Sequence, residues 1–196
     1  AIPVVLGGFH VTFNVEEAAR HASAVVVGPA GGAWPEALAD LESGALEAVY
    51  HGNPDLPVPV ALPRHLLNRS GYVSVQTCTA TTGCANRCAF CSITAFYQGR
   101  RYRQPIDAIV AHLRSFDDRF FLFVDDNLTQ DRDYALALFE AIAPLGKLWA
   151  TQASVEIADD RELLGAMRRA GCVGVFVGLE SFSEAALCSQ HKSIRS

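Results

Sequence analysis

Three features of the sequence predict an α/β fold with parallel sheets. Short apolar runs rich in β-branched residues alternate with segments whose apolar residues recur every three or four positions. No turn signal of the β-hairpin type joins these runs. Half of the residues are hydrophobic and 19% are charged, which is typical of a chain that forms a packed core.

Charge and apolar run length argue against two classes of protein. The 196-residue chain has a formal net charge of −5 and no basic run, so we expect no nucleic-acid binding. Its longest apolar stretches are Val4–Leu6, Phe120–Val124 and Val173–Leu179. A bilayer demands roughly 20 apolar residues, so we expect no membrane span. The chain also opens without the charged region that begins a secretory signal, and we expect none.

The first fifty residues predict two strands, each followed by a helix. In order, these are a strand Ile2–Leu6, a helix from Asn14 to about His21, a strand Ala24–Val27, and a helix opening at Trp34-Pro35. Asn14 and Glu17 have the spacing of a helix-capping pair, and Gly44 is placed to end the second helix. Strands of this kind, alternating with helices, indicate a parallel layer.

The next segment differs in composition. Four prolines fall within ten residues, at positions 54, 57, 59 and 63. Proline disfavours the interior of both helices and strands, so residues 49–70 are predicted to be a semi-extended linker.

A second series of strands and helices follows the linker. The predicted strands are Tyr72–Gln76, Phe120–Val124 (fully buried), Leu148–Ser154 and Val173–Leu179. The predicted helices are Pro105–Ser115, Asp131–Ala143, Asp159–Ala170 and one that starts at Ser183. Asp159 and Glu162 form a candidate capping pair, and Gly171 a candidate stop. Four βα units in a row predict a barrel or a doubly wound sheet.

Polar residues follow each of these four strands. In chain order they are a cysteine-containing loop, Asp125-Asp126-Asn127, Ser154 with Glu156, and Glu180-Ser181. Gln152, Ser154 and Glu156 alternate, as side chains on one face of an extended strand do. Catalytic groups of βα barrels lie at the carboxyl ends of the strands, so these positions are candidate site residues.

The cysteine loop, Gly83–Cys91, carries the most specific motif. Cys84, Cys88 and Cys91 have the spacing C-x3-C-x2-C. Thiolates are the usual ligands of iron–sulfur clusters, and three of them leave one iron of a [4Fe-4S] cubane open to an external ligand. Gly83 would allow a tight approach of the backbone to such a cluster.

Other interpretations of the loop remain open at this point. A structural zinc site would need a fourth ligand, such as Cys78 or a histidine, but the sequence has no second C-x2-C. A thioredoxin-like pair formed by Cys88 and Cys91 would leave Cys84 unexplained. Buried thiols without a function are the last alternative. No ligand spacing is apparent among the six histidines.

The motif, with Phe90 as the aromatic residue before the third cysteine, resembles that of the radical S-adenosylmethionine (radical SAM) superfamily. The resemblance implies a [4Fe-4S] cluster at Cys84, Cys88 and Cys91, whose open iron is chelated by S-adenosylmethionine. It implies reductive cleavage of that cofactor to a 5′-deoxyadenosyl radical, which abstracts hydrogen from a substrate. No catalytic residue is predicted beyond the cluster ligands.

One subgroup of the family is more similar still. The segments Val4-Val-Leu-Gly-Gly-Phe-His, Ala24-Val-Val-Val-Gly and Trp34-Pro-Glu-Ala-Leu resemble the C-terminal part of a cobalamin-binding Rossmann-like domain. The resemblance implies a partial domain of this type at residues 1–48 and a radical SAM core at residues 71–196. The core would be the first four units of a partial TIM-like (βα)6 barrel. The turn Gly28-Pro29-Ala30-Gly31 departs from the family pattern.

The resemblance also assigns cofactor-binding residues. For S-adenosylmethionine they are Phe90, Asp125, Asp126, Asn127, Ser154, Glu156, Glu180 and Ser181. For cobalamin they are Gly7, Gly8 and Gly28. Ordinary roles compete with these assignments, because acidic turns often cap helices and glycines often end strands.

The predicted function is therefore S-adenosylmethionine cleavage coupled to methyl transfer, or to a related C–H functionalisation of a small molecule. The resemblance implies an electron donor such as flavodoxin or ferredoxin and a cytoplasmic location. It also suggests that the chain is a fragment, because the family barrel has six units. The alternatives are a non-catalytic truncated fragment and a zinc-binding α/β protein.

Overall fold

Two parallel sheets organise the chain, each within its own compact unit. The structure is a computed structural model and describes residues 2–53 and 76–192. Of the described residues, the first unit contains 2–53 and 92–98, and the second contains 76–91 and 99–192. This confirms the predicted α/β class and the parallel arrangement of the strands.

The first unit is built on a three-stranded parallel sheet in the order β1-β2-β3. Its strands are β1 (Val5–Leu6), β2 (Ala24–Val27) and β3 (Val49–His51). Its helices are α1 (Phe9–Phe13), α2 (Val15–Ala19), α3 (Ala33–Ser43) and α4 (Ser92–Tyr97). The apolar side chains of β2 are buried between two small clusters, which explains why this strand could be recognised from its composition.

The predictions for this unit are partly confirmed. Strand β2 and the end of α3 at Gly44, whose φ is +78°, agree with the sequence. Asn14 occupies the N-cap position of α2, as predicted, but its side chain makes no cap, and its Nδ2 donates to the carbonyl of His10 instead. Helix α1 was not predicted. Strand β3 lies within the predicted linker, residues 49–70, so the start of that linker was placed too early. Residues 54–70 of the predicted linker lie outside the described residues.

The second unit is built on a four-stranded parallel sheet in the order β4-β7-β8-β9. Its strands, which include a short antiparallel pair formed by β5 and β6, are β4 (Gln76–Cys78), β5 (Thr81–Thr82), β6 (Tyr102–Arg103), β7 (Phe120–Phe123), β8 (Leu148–Ala153) and β9 (Cys172–Val177). Its helices are α5 (Ile106–Arg114), α6 (Arg132–Ile142), α7 (Arg161–Arg169) and α8 (Glu184–Ser189). Short 3-10 helices cover Leu128–Gln130, Ala143–Leu145 and Val155–Asp159.

The core of the second unit lies between the sheet and its helices. Trp149 on β8 is fully buried, stacks on Phe139 of α6 and meets Phe123 edge to face. Its indole N–H donates to the carbonyl of Ala170 at 2.8 Å, so the one polar atom of this side chain is satisfied. The aromatic cluster therefore fixes β7 and β8, whose carboxyl ends carry the candidate site.

Most predicted elements of this unit are present, with two corrections. Helix α7 is capped by Asp160, which accepts from the amide of Leu163, and not by Asp159. Phe121 and Phe123 of β7 are buried, but Phe120 and Val124 are exposed, so the strand is not buried along its whole length. The predicted strand Tyr72–Gln76 lies almost entirely outside the described residues.

Within residues 2–53 and 76–192, no helix combines the length and the hydrophobicity that a membrane crossing requires.

Candidate active site

The cysteine loop leaves the end of β5 through a glycine turn. Gly83 has φ +82°, a conformation that favours glycine, and the loop then folds so that the amide of Cys91 donates to the carbonyl of Cys88. Cys84 is buried, and Cys88 and Cys91 are half-buried. All three are free thiols, as thiolate ligands must be.

Cys84 and Cys91 lie close enough to Cys88 to influence its thiol. Burial raises the pKa of the Cys88 thiol, the ammonium of Lys192 opposes this rise, and Cys91 and Cys84 add to it. Within the described part of the chain, no three His, Cys, Asp or Glu side chains surround a common point as ligands of a single ion do. A cubane does not require this, because each cysteine binds a different iron. The donor set fits such a cluster.

Asp125 and Asp126 hold the backbone that leads into the loop. Asp125 is fully buried, and its carboxylate accepts from the amides of Ala80 and Thr81 and, at 2.7 Å, from the Thr81 hydroxyl. Burial raises the pKa of Asp125 to about 7, against the lowering effect of these hydrogen bonds. Asp126 accepts from the amide of Gly83 at 2.7 Å, and burial raises its pKa also.

Gln130 extends the same set of contacts along the loop. Its Oε1 accepts from the amide of Ala85 at 2.9 Å, and its Nε2 donates to Oδ1 of Asn86 at 2.9 Å. Gln130 was not singled out from the sequence. The available signal was its position, five residues after Asp125 in the same polar turn.

A cavity of about 270 Å³ brings three of the predicted residues together. Asn127, Ser154 and Glu156 line it, as do Asn86 from the cysteine loop and Arg132 from α6. Asn127 is buried, and its Nδ2 donates to Oγ of Ser154 at 2.7 Å. The cavity therefore joins the carboxyl ends of β7 and β8 to the cysteine loop.

The prediction that Gln152, Ser154 and Glu156 share a strand face is wrong. Strand β8 ends at Ala153, Ser154 is the N-cap of the following 3-10 helix, and Glu156 lies on that helix. The change from extended to helical backbone turns Glu156 into the cavity, whereas Gln152 is exposed and not among its lining residues.

The other predicted residues lie outside this cavity. Glu180, with φ +63°, forms an ion pair with Lys192 at 3.1 Å, and Oγ of Ser181 accepts from the amide of Ser183. The ring of Phe90 is 53% exposed. Lys192 also donates to the carbonyl of Gly178 at 2.8 Å, which ties the residues after α8 to the end of β9.

In the first unit, a second cavity of about 430 Å³ lies beside the ends of β1 and β2. Gly7, Gly8 and Gly28, the three glycines predicted for cobalamin, all line it. Gly8 and Gly28 have φ values of +98° and +79°, and a Cβ on either would meet open space. The remaining lining is largely apolar and includes the aromatic residues Phe9, Trp34, Phe96 and Tyr97.

Comparison with known proteins places these features in a family. Two curated relatives from Chlorobaculum tepidum are the bacteriochlorophyllide d C-12(1)-methyltransferase, 29% identical, and the C-8(2)-methyltransferase, 26% identical. Each alignment covers 96% of this chain but only 44% or 46% of the relative, so the chain spans less than half of their length.

A solved structure has the same fold. It is the radical S-adenosylmethionine methyltransferase TsrM from Kitasatospora setae, determined with tryptophan and an S-adenosylmethionine analogue bound. The TM-score is 0.76 at 18% sequence identity, over 94% of this chain and 43% of TsrM. A second structure of TsrM, with cobalamin and a [4Fe-4S] cluster bound, gives a TM-score of 0.73.

The family model described as the radical SAM superfamily matches residues 79–196, which include the whole cysteine loop and the strands that carry the candidate site. This confirms the resemblance seen in the sequence, and the chain belongs to the radical SAM superfamily.

Proposed function

We propose that this chain binds a [4Fe-4S] cluster through Cys84, Cys88 and Cys91 and cleaves S-adenosylmethionine reductively. The observation that carries the proposal is three free thiols with C-x3-C-x2-C spacing in one loop of a radical SAM chain. When bound, the cluster would supply one electron to the sulfonium group of S-adenosylmethionine. The chain's own residues would hold and orient the two groups.

The cavity beside the cysteine loop is our candidate for the polar part of S-adenosylmethionine. Asn127, Ser154 and Glu156 offer it amide, hydroxyl and carboxylate groups. The carboxylate of Glu156 suits an ammonium or a ribose hydroxyl, and hydrogen bonds to charged groups are the stronger ones. Phe90, exposed within the cysteine loop, is our candidate for contact with the adenine ring.

For the first unit we propose cobalamin binding. The cavity lies at the carboxyl ends of parallel strands, where α/β sheets bind ligands. Glycines at its rim would let a large ligand approach the backbone, and the aromatic lining suits an apolar face. We therefore assign residues 1–48, together with strand β3 (Val49–His51), to a partial cobalamin-binding domain and residues 71–196 to a partial radical SAM barrel.

The reaction that we favour is methyl transfer to a small molecule, because the two bacteriochlorophyllide relatives are methyltransferases. Flavodoxin or ferredoxin would supply the electron. A cytoplasmic location would suit an oxygen-sensitive cluster.

Anaerobic reconstitution with iron and sulfide tests the proposal directly. We expect about four irons per chain, a broad brown absorption band, and 5′-deoxyadenosine after addition of S-adenosylmethionine and reductant. Cys88→Ala should lose the product, whereas Cys188→Ala, which removes an exposed thiol outside the loop, should retain it. Equal product from wild type and Cys88→Ala, or one colourless metal per chain, would refute the proposal.

Cobalamin binding has a matched pair of variants. Gly28→Leu places a side chain in the cavity, while Gly44→Leu makes the same change at a nearly identical φ, +78° against +79°, at the end of α3. Quenching of Trp34, which lines the cavity, reports binding in a Trp149→Phe background. We expect Gly28→Leu to bind cobalamin about tenfold more weakly, and Gly44→Leu to bind it as the parent chain does. Equal weakening by both changes would place the ligand elsewhere.

A further inference from the structure

Three side chains of one turn hold the backbone that precedes and enters the cysteine loop. The turn follows β7, and its residues Asp125, Asp126 and Gln130 accept from amides in residues 80–86, which we name the approach segment. Each acceptor lies 43 to 45 residues after the amide that it binds. These are therefore tertiary contacts and not local turn bonds.

The contacts follow the chain in order. Asp125 accepts from the amides of Ala80 and Thr81, Asp126 accepts from that of Gly83, and Gln130 accepts from that of Ala85. Cys84 lies between the last two contacts. Apart from the two residues of β5, the approach segment has no helix or strand to satisfy its amides, so side-chain acceptors help to decide which conformation it adopts.

The burial of Asp125 separates its role from direct contact with a cofactor, whereas Gln130 also lines the cavity of about 270 Å³. The side chain of Asp125 is fully buried, and Ala80 and Thr81 provide donors to its carboxylate. Hydrogen bonds to a carboxylate are shorter and stronger than those to neutral acceptors. Gln130 adds a bond from its Nε2 to Asn86, so both ends of this amide are used on the approach segment.

We propose that Asp125, Asp126 and Gln130 are positioning residues that hold the approach segment so that Cys84 is presented to the cluster. This proposal rests on the proposed function, because the cluster itself is part of that function. The hydrogen bonds that hold the approach segment belong to the chain alone, so they can be measured without iron.

Amide hydrogen exchange of the iron-free chain is the first measurement. Asp126→Ala and Gln130→Ala should speed exchange at Gly83 and Ala85 about fivefold, the effect of losing one hydrogen bond. Gln130→Glu loses the donor to Asn86 but keeps an acceptor for Ala85, so it should restore the wild-type rate at Ala85. Asp118→Ala is the matched control, because its carboxylate accepts from Gln76 near the opposite end of β7.

Release of iron from the reconstituted chain to a chelator is the second measurement. Asp126→Ala and Gln130→Ala should release iron about fivefold faster, while Gln130→Glu and Asp118→Ala should match wild type. A general loss of stability would not be rescued by Gln130→Glu. Buried Asp125 is left out of this test, since its substitution endangers folding.

The two measurements separate the two proposals. If wild type binds no four-iron cluster, the proposed function fails. The exchange rates alone then decide whether Asp126 and Gln130 hold the approach segment. If wild type binds the cluster but Asp126→Ala and Gln130→Ala match it in exchange and iron release, the positioning role is overturned. Equal acceleration by Asp118→Ala would overturn it too.

Discussion

At the scale of single residues, Asp125 is governed by two opposing effects. Complete burial disfavours its charged form, while hydrogen bonds from Ala80 and Thr81 favour it. Burial is the larger effect and raises the pKa to about 7. Since an unfolded chain has an ordinary aspartate pKa near 4, the folded chain binds a proton that the unfolded chain has already released at intermediate pH.

This difference predicts how stability depends on pH. Between about pH 4 and pH 7 the unfolded chain binds fewer protons at this residue, so the free energy of unfolding falls as pH rises. Above the folded pKa both states are ionised and the effect levels off. For the iron-free chain we expect Asp125 to contribute a fall of roughly 2–3 kcal/mol between pH 5 and pH 8.

Asp125→Asn isolates this contribution. The variant should be less sensitive to pH than wild type by that amount in urea unfolding at pH 5 and pH 8. Asp126, whose pKa is also raised, raises the pKa of Asp125, so the difference between the two proteins includes this coupling. Tyr134, whose pKa is raised above its usual value near 10, does not titrate between pH 5 and pH 8. Parallel pH dependence of the two proteins would mean that the hydrogen bonds keep Asp125 ionised throughout.

The sequence could place these side chains but could not assign their contacts. A strand-end position predicted Asp125, Asp126 and Asn127 as site residues, and Asn127 does line the cavity. Burial of Asp125 against Ala80 depends on two segments 45 residues apart meeting at the sheet edge, which no local pattern encodes. Gln130 was missed for the same reason.

At the scale of elements, the sequence predicted the start of a helix correctly where the side chain itself forms the N-cap. Asp131 and Ser183 accept from amides of α6 and α8, as residues of their type at helix starts do. The error at Asp159 is one residue, since adjacent Asp160 offers the same chemistry. The β5–β6 pair was missed because its strands are two residues long and far apart in sequence.

Two glycines that precede strands permit a sharp prediction at this scale. Gly171, with φ +95°, follows α7, and a Cβ there would collide with the carbonyl of Lys147. Gly146, with φ +61°, precedes β8, and a Cβ there would meet open space. Both alanine variants incur backbone strain of about 1–2 kcal/mol, but Gly171→Ala must also displace backbone.

Thermal or urea unfolding should therefore rank the two variants. We expect Gly146→Ala to lose about 1 kcal/mol and Gly171→Ala roughly 3 kcal/mol or more. A loss at Gly171 no greater than that at Gly146 would mean that the connection from α7 to β9 shifts readily to admit a side chain.

At the scale of the whole molecule, the chain has separate apolar cores. Val25, fully buried, belongs to a cluster of the first unit, whereas Ile109, also fully buried, belongs to the large cluster of the second. Each core lies within one unit, so each should stabilise the unit that contains it. The two tryptophans offer one reporter for each: Trp34 in the first unit and Trp149 in the second.

Core substitutions in single-tryptophan backgrounds test this division. Val25→Ala should destabilise by about 2 kcal/mol the transition seen by Trp34 in a Trp149→Phe chain, and leave unchanged that seen by Trp149 in a Trp34→Phe chain. Ile109→Val should have the reverse pattern, at about 1 kcal/mol, because it removes one buried methyl group. If either substitution shifts both transitions in urea equally, the two units unfold as one cooperative body and the separate cores do not define separate stabilities.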